Sequence, residues 1–559
     1  MNCFLLPASL CRALEQVMAR FWWRSNGIKR GIHWTTWHSL ARTKSCGGLG
    51  FRELGKFNVA LLAKQCWRLI THPDSFLAKF LKARYYPTSD FLSANLGSNP
   101  SYIWRSLWSA KGLIERGIGW RVGSGRNINI WNDAWLPGIG DGRVKRDTID
   151  IRYTYVSDLI HSPTSTWKVD VLEDLFDAPQ VSMISSIPLS VSGKADTVVW
   201  RLEGSGKYTV KSGYRMLRDD HTTATGMYNQ YSPSVIEQFY KEMWATRLPA
   251  KVKISFWKIA NNFISSYDNL QARRLNVNNV CPFCCTPGET VAHLMRECAF
   301  IKQLVLEQGI NFISCPTNIA WAEWLANIFC NLNPEKKVVL MVTYWAVWYE
   351  RNKLIHDGTI ASVHDTKAFI RAFIREYEDV NTICPPGIVE REGKWEAPAE
   401  NLIKFNFDAA FDIHTKASVS AAIGRNHAGL IMASCVTHHN HVFDAFVAEA
   451  LACLQAVTYA KELGFDKVII EGDNITVIKR VCSTSMDGSV IGPIIYDIKS
   501  IAGQFESIEF RFVQRKINQV AHTLAQKGKG QQGDCYWIEE APPRTSAAAA
   551  LDAESITEV

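Results

Sequence analysis

The spacing of apolar residues changes abruptly after about residue 400, and this change constrains the fold more than any other feature of the chain. The segments that follow are strands at 403–408, 419–425 and 430–436, a helix at 443–463, strands at 467–473 and 507–513, and a last helix at 518–527. The strands are recognised by alternation or by short apolar runs, and the helices by steps of three and four residues. Three antiparallel strands followed by mixed helices and strands predict an α/β layer fold for residues 401–530.

The region before residue 400 shows mainly helical spacing. Apolar residues recur at helical steps around Val59, Leu62 and Leu69, and helical patterns return over 235–272 and 337–356. Two stretches alternate about Gly-Ser-Gly turns instead, at 119–138 and 198–210, and each predicts a local hairpin.

A chain of 559 residues is too long for one hydrophobic core, so we expect a multidomain α+β protein. The predicted segments are a basic, mainly helical N-terminal module (1–140), a mixed region with a helical module that contains a cysteine cluster (141–310), a helical linker (311–383), a flexible linker rich in proline, glycine and charge (384–400), the α/β domain (401–530) and a tail (531–559) that is disordered from Pro542.

Positive charge is concentrated at the N-terminus. Residues 1–140 carry 19 Lys/Arg against 6 Asp/Glu, a net of +13 in a chain whose total is +8, so the remainder is net −5. The same segment holds Trp22, Trp23, Trp34, Trp37 and six further tryptophans. Basic residues neutralise phosphates and aromatic rings stack on bases, which suits a nucleic-acid partner. A helical domain with a tryptophan-rich core is an equally open interpretation.

The sequence predicts an intracellular protein that is neither secreted nor embedded in a membrane, with the nucleus as one candidate compartment. The 15 cysteines are scattered rather than densely spaced as in a disulfide scaffold. The first dozen residues fit an amphipathic helix better than a secretory signal. The longest other apolar run, at 338–349, is shorter than the ~20 residues that a bilayer-spanning helix needs.

Three carboxylates occupy informative positions in the α/β domain. Asp408 ends the first strand, Glu449 lies mid-helix in the apolar segment VAEALA, and Asp473 ends the strand KVIIEGD. Strand ends in such sheets open into a common crevice. Acids that meet there repel one another unless cations neutralise them, and oxygen ligands favour Mg²⁺ or Mn²⁺. From spacing alone, a divalent metal centre and three unrelated acids both remain open.

One cysteine cluster has metal-ligand spacing. In CPFCCTPGETVAHLMREC, the residues Cys281, Cys284, His293 and Cys298 form a C-x2-C-x8-H-x4-C array, with Cys285 as a spare candidate. Two thiolates on a tight turn and a His/Cys pair from the next segment can complete a tetrahedron around a structural Zn²⁺. The alternative is a group of reduced core cysteines beside a helix histidine.

The blocks FNFDAA, AEALACLQA, EGDN and NQVAHTLA resemble the type 1 ribonuclease H family in order and spacing, over about 401–528. The resemblance implies a ribonuclease-H-like fold and a nucleic-acid substrate. It also implies that the chain is an endoribonuclease, which hydrolyses the RNA strand of an RNA–DNA hybrid with two metal ions. By position, the implied catalytic residues are Asp408, Glu449, Asp473 and His522, with the three acids as the Mg²⁺ or Mn²⁺ ligands, and the candidate substrate contacts are Asn474, Arg515 and Asn518.

His522 departs from that family's pattern. The family places a fourth carboxylate at the start of the last helix, four residues after an asparagine, and here the residues are Asn518 and His522. Imidazole is a poorer ligand for Mg²⁺ than a carboxylate and a better one for Mn²⁺. The histidine-bearing loop expected before that helix is replaced by FVQRKINQ, with Arg515 and Lys516. We therefore expect activity that is weak, Mn²⁺-biased or absent, and His522 as a simple packed or surface residue remains open.

The cysteine array, with KVKISFWKIANN before it, resembles the zinc-binding domain that follows reverse transcriptase in plant LINE-type retroelements. The segments RFWWRSNG, GGLGFREL, NVALLAKQCWRL and WRVGSGRNINIWNDAWLPG are similar to the region that joins polymerase and zinc module there. The chain contains no Tyr/Phe-x-Asp-Asp motif, so polymerase activity is not expected. The alternatives to an active hybrid ribonuclease are a catalytically impaired nucleic-acid-binding remnant and a degenerate fragment.

Overall fold

The computed structural model describes residues 1–24, 31–138, 140–145, 149–224, 233–312, 319–359, 362–383 and 394–557. Within these ranges, no helix has both the length and the apolar composition needed to cross a membrane. The chain forms two compact units, one of residues 1, 5–59 and 217–389 and the other of residues 2–4, 60–216 and 390–559.

The helices are α1 (Ala8–Trp22), α2 (Trp37–Ala41), α3 (Leu54–Thr71), α4 (Phe76–Tyr85), α5 (Tyr102–Ser109), α6 (Lys111–Gly117), α7 (Val169–Leu175), α8 (Ala178–Ser185), α9 (Val210–Ala224), α10 (Pro233–Ala245), α11 (Ala250–Ala260), α12 (Tyr267–Ala272), α13 (Ala299–Glu307), α14 (Trp321–Asn331), α15 (Pro334–Asp357), α16 (Val363–Ile383), α17 (Ala445–Glu462), α18 (Ile475–Cys482), α19 (Gly492–Ala502), α20 (Gln519–Gly528) and α21 (Pro543–Thr557).

The strands are β1 (Ile118–Arg121), β2 (Ile160–His161), β3 (Thr166–Trp167), β4 (Thr197–Trp200), β5 (Ile403–Asp412), β6 (Ala417–Arg425), β7 (Ile431–His439), β8 (Lys467–Gly472), β9 (Ser507–Phe512) and β10 (Cys535–Ile538).

The first unit is built of helices, with α15 at its centre. The side chain of Asn333 caps the start of α15 by accepting the backbone N–H of Lys336, and Gly358 ends it with φ 68°. Leu340, Tyr344 and Val347 are fully buried in a core shared by α10, α11, α13 and α14. Helical spacing over 337–356 predicts this element, and the structure confirms it.

The second unit contains a six-stranded mixed sheet in the order β10-β7-β6-β5-β8-β9. β5, β6 and β7 pair antiparallel, and β8 and β9 join the sheet parallel to β5 and to each other. Phe405 and Phe407 pack into a core shared with α17 and α19, while Ala410 belongs to a separate core with α20 and α21. The α/β layer predicted for 401–530 is confirmed.

Both predicted local hairpins are wrong. β1 pairs antiparallel with β4, so that Ile118 lies opposite Trp200. The Gly-Ser-Gly segment after β1 instead folds around the carboxylate of Asp196, which accepts the backbone N–H groups of Gly123, Gly125 and Asn127. In the second stretch, only β4 forms, and the chain beyond the turn begins α9. A turn signal fixes where the chain bends, whereas pairing depends on partners distant in sequence.

The prediction that the tail is disordered from Pro542 is also wrong. Residues 535–538 form β10 beside β7, and residues 543–557 form α21. Thr545 and Ala549 of α21 are 0% and 3% exposed. The alanines that make this segment look like low-complexity sequence are small enough to pack closely against the sheet.

The predicted flexible linker is partly structured. Residues 384–393 lie outside the described residues, but Trp395 is 3% exposed, and its indole N–H donates to the side-chain oxygen of Asn406. The α/β domain therefore begins before residue 401.

The two units also divide the chain differently from the predicted segments. The second half of α3 belongs to the second unit, where the Tyr208 hydroxyl donates to the Ala60 carbonyl and Trp67 packs on Trp200 at 6.3 Å. The segment predicted as a helical linker, 311–383, contributes α14–α16 to the first unit. Pairwise contacts far apart in sequence set these boundaries, and local patterns do not report them.

Candidate functional site

Asp408, Glu449 and Asp473 converge in the second unit, as predicted. One carboxylate oxygen from each lies within 4.8 Å of the others. Asp408 comes from β5, Glu449 from α17, and Asp473 from the residue that follows β8. Because β5 and β8 are adjacent and parallel, the acids they carry lie side by side.

Helix α17 brings Glu449 to this place because of its sequence. The Asp444 side chain caps the helix by accepting the N–H of Val447. Ala448 and Ala450 beside the glutamate are fully buried, so the helix lies close to the sheet. One oxygen of Glu449, Oε2, is buried and has no hydrogen-bond partner among the described residues.

The surroundings of the crevice raise the pKa of Asp408 and of Glu449. Burial raises the pKa of Glu449 to about 9, and the negative charges of Asp408 and Asp473 add to the effect. The pKa of Asp408, which is 4% exposed, is raised by burial and by Asp473, while its hydrogen bond to His522 works in the opposite direction. Without a cation, Glu449 therefore keeps its proton at neutral pH.

His522 lies at the edge of the same crevice. Its Nδ1 is 2.7 Å from Oδ2 of Asp408, and its side chain is 25% exposed. α20 positions it one turn after Asn518, whose carbonyl accepts the N–H of His522. The imidazole is thus bonded to one of the converging carboxylates and is not simply packed in the core.

The three candidate substrate contacts differ in their exposure and in their hydrogen bonds. Asn474 caps α18, since its side-chain oxygen accepts the N–H groups of Thr476 and Val477. Arg515 is exposed, and its charge lowers the pKa of Glu449. Asn518 is 1% exposed and donates to the Phe407 carbonyl, which ties α20 to β5, and its contact with substrate stays a prediction.

The cysteine–histidine cluster also assembles, within the first unit. One ligand atom from each of Cys281, Cys284, His293 and Cys298 lies within 4.8 Å of the others. The Sγ atoms of Cys281 and Cys298 are 3.9 Å apart, close to the roughly 3.8 Å that Zn–S bonds of about 2.3 Å require in a tetrahedron. The donor set and its compactness therefore fit a closed zinc site.

A tight turn presents the first two ligands. The N–H of Cys285 donates to the Cys281 carbonyl, and the N–H of Cys281 donates to the Thr286 carbonyl. Cys285 has φ 59° and is exposed, so the turn directs it away from the cluster. His293 begins a short π-helical segment, His293–Glu297, whose end is followed by Cys298.

A buried ion pair next to this cluster was missed by sequence reasoning. Glu289 and Arg351 are 0% and 5% exposed and form two hydrogen bonds, of 2.9 and 2.7 Å. Arg351 also lies over the rings of Tyr267 and Trp348. The pair fixes the cluster's loop to α15. An available signal was Arg351 close to the apolar run 338–349 of this helix.

Two family models match the chain. The family described as zinc-binding in reverse transcriptase matches residues 208–304, and the family described as reverse transcriptase-like matches residues 406–528. The first range contains the whole cysteine–histidine cluster. The second contains the three converging acids and His522.

Two curated Arabidopsis thaliana proteins are similar to the chain. The "Putative ribonuclease H protein At1g65750" is 24% identical over 439 residues, which cover 73% of this chain and 67% of that protein. The "Uncharacterized mitochondrial protein AtMg00310" is 43% identical over 137 residues, covering 24% of this chain and 89% of that protein. Among solved structures, ribonuclease H1 from Halobacterium salinarum matches 23% of this chain and 97% of its own, with 20% identity and a TM-score of 0.21.

The raised pKa of Glu449 predicts a pH-dependent effect of Glu449→Gln. The folded protein keeps a proton on Glu449 that the unfolded chain releases. The stability that this proton contributes is therefore complete below about pH 4.5 and is lost as pH rises toward about 9. Without added divalent cations, the variant should melt a few degrees above wild type at pH 8 and close to it at pH 5.

Thermal melts of both proteins at the two pH values measure this difference. Glu462→Gln, an exposed glutamate on the same helix, should leave Tm unchanged at both. A Glu449→Gln difference of equal size at pH 5 and pH 8 would contradict the assigned protonation.

Proposed function

This chain belongs to the family of plant LINE-type retroelement proteins in which a reverse-transcriptase zinc-binding domain precedes a ribonuclease H-like domain, and from that premise we propose that its second unit is an endoribonuclease. It would cleave the RNA strand of an RNA–DNA hybrid and leave a 3′-hydroxyl and a 5′-phosphate. The observation that carries the proposal is the approach of Asp408, Glu449 and Asp473 to within 4.8 Å.

The donor set fits hard divalent cations. All three groups offer oxygen, and the buried Oε2 of Glu449 receives no hydrogen bond from any residue that the structure describes. Mg²⁺ or Mn²⁺, when bound, would activate a water and stabilise the leaving oxygen at the scissile phosphate. Asp408, Glu449 and Asp473 would hold the ions, and Glu449 would give up its proton as they bind.

The residues around the acids would orient the substrate. Arg515 is the exposed cation whose charge reaches the crevice, so it is placed to attract a phosphate of the hybrid. Because the Asn474 oxygen is used in capping α18, only its amide N–H groups are left to contact the RNA strand. His522, bonded to Asp408 through Nδ1, keeps Nε2 for a proton or an ion at the edge of the centre.

One observation favours a second candidate function, nucleic-acid binding without turnover. His522 occupies an oxygen of Asp408 at 2.7 Å, and imidazole is a weaker Mg²⁺ ligand than carboxylate. Such a protein would bind hybrids but would cleave them only slowly, or only with Mn²⁺.

Substitution of Asp473 tests the nuclease. Asp473→Asn removes a charge needed to hold the cations, and we expect cleavage of a hybrid labelled on its RNA strand to fall by about 100-fold or more. Asp466→Asn, an exposed acid on the same domain, should cleave like wild type. Wild-type protein that binds the hybrid without cutting it in either Mg²⁺ or Mn²⁺ supports the second function.

The role of His522 predicts a change in metal preference. His522→Asp adds a carboxylate beside Asp408, so the ratio of the Mg²⁺-supported to the Mn²⁺-supported rate should rise by roughly tenfold. His522→Gln, which removes the imidazole without adding charge, should not raise that ratio. An unchanged ratio in an active His522→Asp protein would leave His522 outside the metal centre.

We also propose that Cys281, Cys284, His293 and Cys298 bind one structural Zn²⁺. Elemental analysis of the purified chain should return about one zinc per molecule. Cys284→Ser should lose that metal and Cys285→Ser should retain it, because the turn directs Cys285 outward. Equal zinc content in the two variants would be inconsistent with this ligand set.

A further inference from the structure

A cavity of about 380 Å³ opens on the first unit, and none of its lining residues belongs to the cysteine–histidine cluster. Three aromatic residues and two lysines contribute to its lining: Trp22, Phe51, Trp244, Lys44 and Lys253. Its volume lies in the range of small-ligand pockets, about 300–1,000 Å³. Neither the zinc cluster nor the acidic centre uses it.

The charged residues that line this aromatic cavity, Lys44 and Lys253, are both positive. None of the described residues that line it is acidic. Neighbouring carboxylates are engaged elsewhere, since Glu242 pairs with Lys337 at 2.7 Å and Glu53 with Lys56 at 3.0 Å. Burial, and then the charge of Lys44, lower the pKa of Lys253, so an anion held between the two ammonium groups would relieve their repulsion.

The aromatic rings are held in place by packing. Trp22 meets Phe51 edge to face at 5.0 Å, and Phe51 stacks on Trp37 at 5.0 Å. Lys44 lies 4.7 Å from the centre of the Trp244 ring, and Lys253 donates to the Trp244 carbonyl. These rings are partly exposed, although Trp23, the neighbour of Trp22, is buried in the core. Partly exposed, rigid aromatic groups beside lysines are the elements that single-stranded nucleic-acid sites combine.

We propose that the aromatic cavity binds one nucleotide of a single-stranded RNA or DNA. A base packs against the Trp22, Phe51 and Trp244 rings, and the adjoining phosphate lies between Lys44 and Lys253. The site lies within the first unit and does not depend on the acidic centre. It would let the protein hold an unpaired strand whether or not the second unit cleaves a hybrid.

A nucleotide fits better than an acidic peptide. A carboxylate side chain would satisfy the lysines and leave the aromatic surface unused, whereas a nucleotide carries a flat ring and an anion in one unit. The part of the first unit that precedes residue 60 is itself basic, since residues 5–59 carry nine Lys/Arg against two Asp/Glu, a net of +7. That charge would draw a polyanion toward the cavity.

The test measures binding of a short fluorescein-labelled single-stranded DNA to the full chain, without divalent cations, between about 50 and 200 mM KCl. Lys44→Ala and Lys253→Ala should each reduce the slope of log Kd against log salt by about 0.7, the value for one phosphate contact on a single strand. Lys251→Ala is the matched control. Lys251 is exposed, lies 4.9 Å from the centre of the Trp345 ring, and does not line the cavity.

Stacking is tested separately from charge. Trp22→Leu should weaken binding about fivefold or more with little change in the salt slope, and should not weaken binding of an abasic strand of equal length. Zinc content and melting temperature check that each variant is folded. If Trp22→Leu does not fold, two other measurements still test the proposal. Wild type should bind the abasic strand more weakly than the intact strand, and Lys44→Ala, a change at an exposed residue, should reduce the salt slope.

Three results would overturn the proposal. The first is that Lys44→Ala and Lys251→Ala reduce the salt slope equally. The second is that wild type binds intact and abasic strands with equal affinity. The third is that a polyglutamate peptide of matched charge displaces the DNA. Failure of hybrid cleavage leaves this measurement unaffected, because neither a hybrid nor a divalent cation is present.

Discussion

Mutual repulsion among three carboxylates is the constraint around which the second unit is organised. Asp408, Glu449 and Asp473 are brought within 4.8 Å in a partly buried crevice, where burial and the neighbouring negative charges raise the pKa of Asp408 and of Glu449. No local interaction would gather them. The backbone does so, because β5 and β8 pair in parallel and α17 packs tightly on the sheet through alanines. The burial of these helices and strands offsets the electrostatic cost, and a cation would relieve it.

A second group of charges lies buried in the same domain and is paired within the protein, without any ion. Lys404 and Glu471, each about 4% exposed, pair at 2.8 Å, and the guanidinium of Arg425 lies 3.8 Å from the centre of the Trp395 ring. Arg425 also pairs with Asp552 of α21. Trp395 and Asp552 both lie outside the matched range 406–528. The domain therefore needs segments beyond its recognisable family region to neutralise its own interior.

The cysteine–histidine cluster follows the same logic in the first unit. Three thiols and one imidazole are held together by a tight turn and a short π-helical segment, and a buried Glu289–Arg351 pair connects their loop to α15. Removing either charge would leave the other desolvated, so the pair fixes the loop more firmly than surface contacts could. In both units, the residues that chemistry requires are few, and the residues that position them are spread widely along the chain.

The sequence by itself determined the elements that carry the two candidate sites and the side-chain donors that those sites contain. Alternation and helical spacing locate β5 and α17, and the residue types at 408, 449, 473 and 281–298 name the two donor sets. Tertiary structure alone decided that β1 pairs with β4 rather than with its neighbour, that Asn518 is buried, and that α21 is part of the domain. The reason is physical: local pattern records the preference of each segment for helix or strand, whereas pairing, burial and charge neutralisation depend on which distant side chains arrive at the same place.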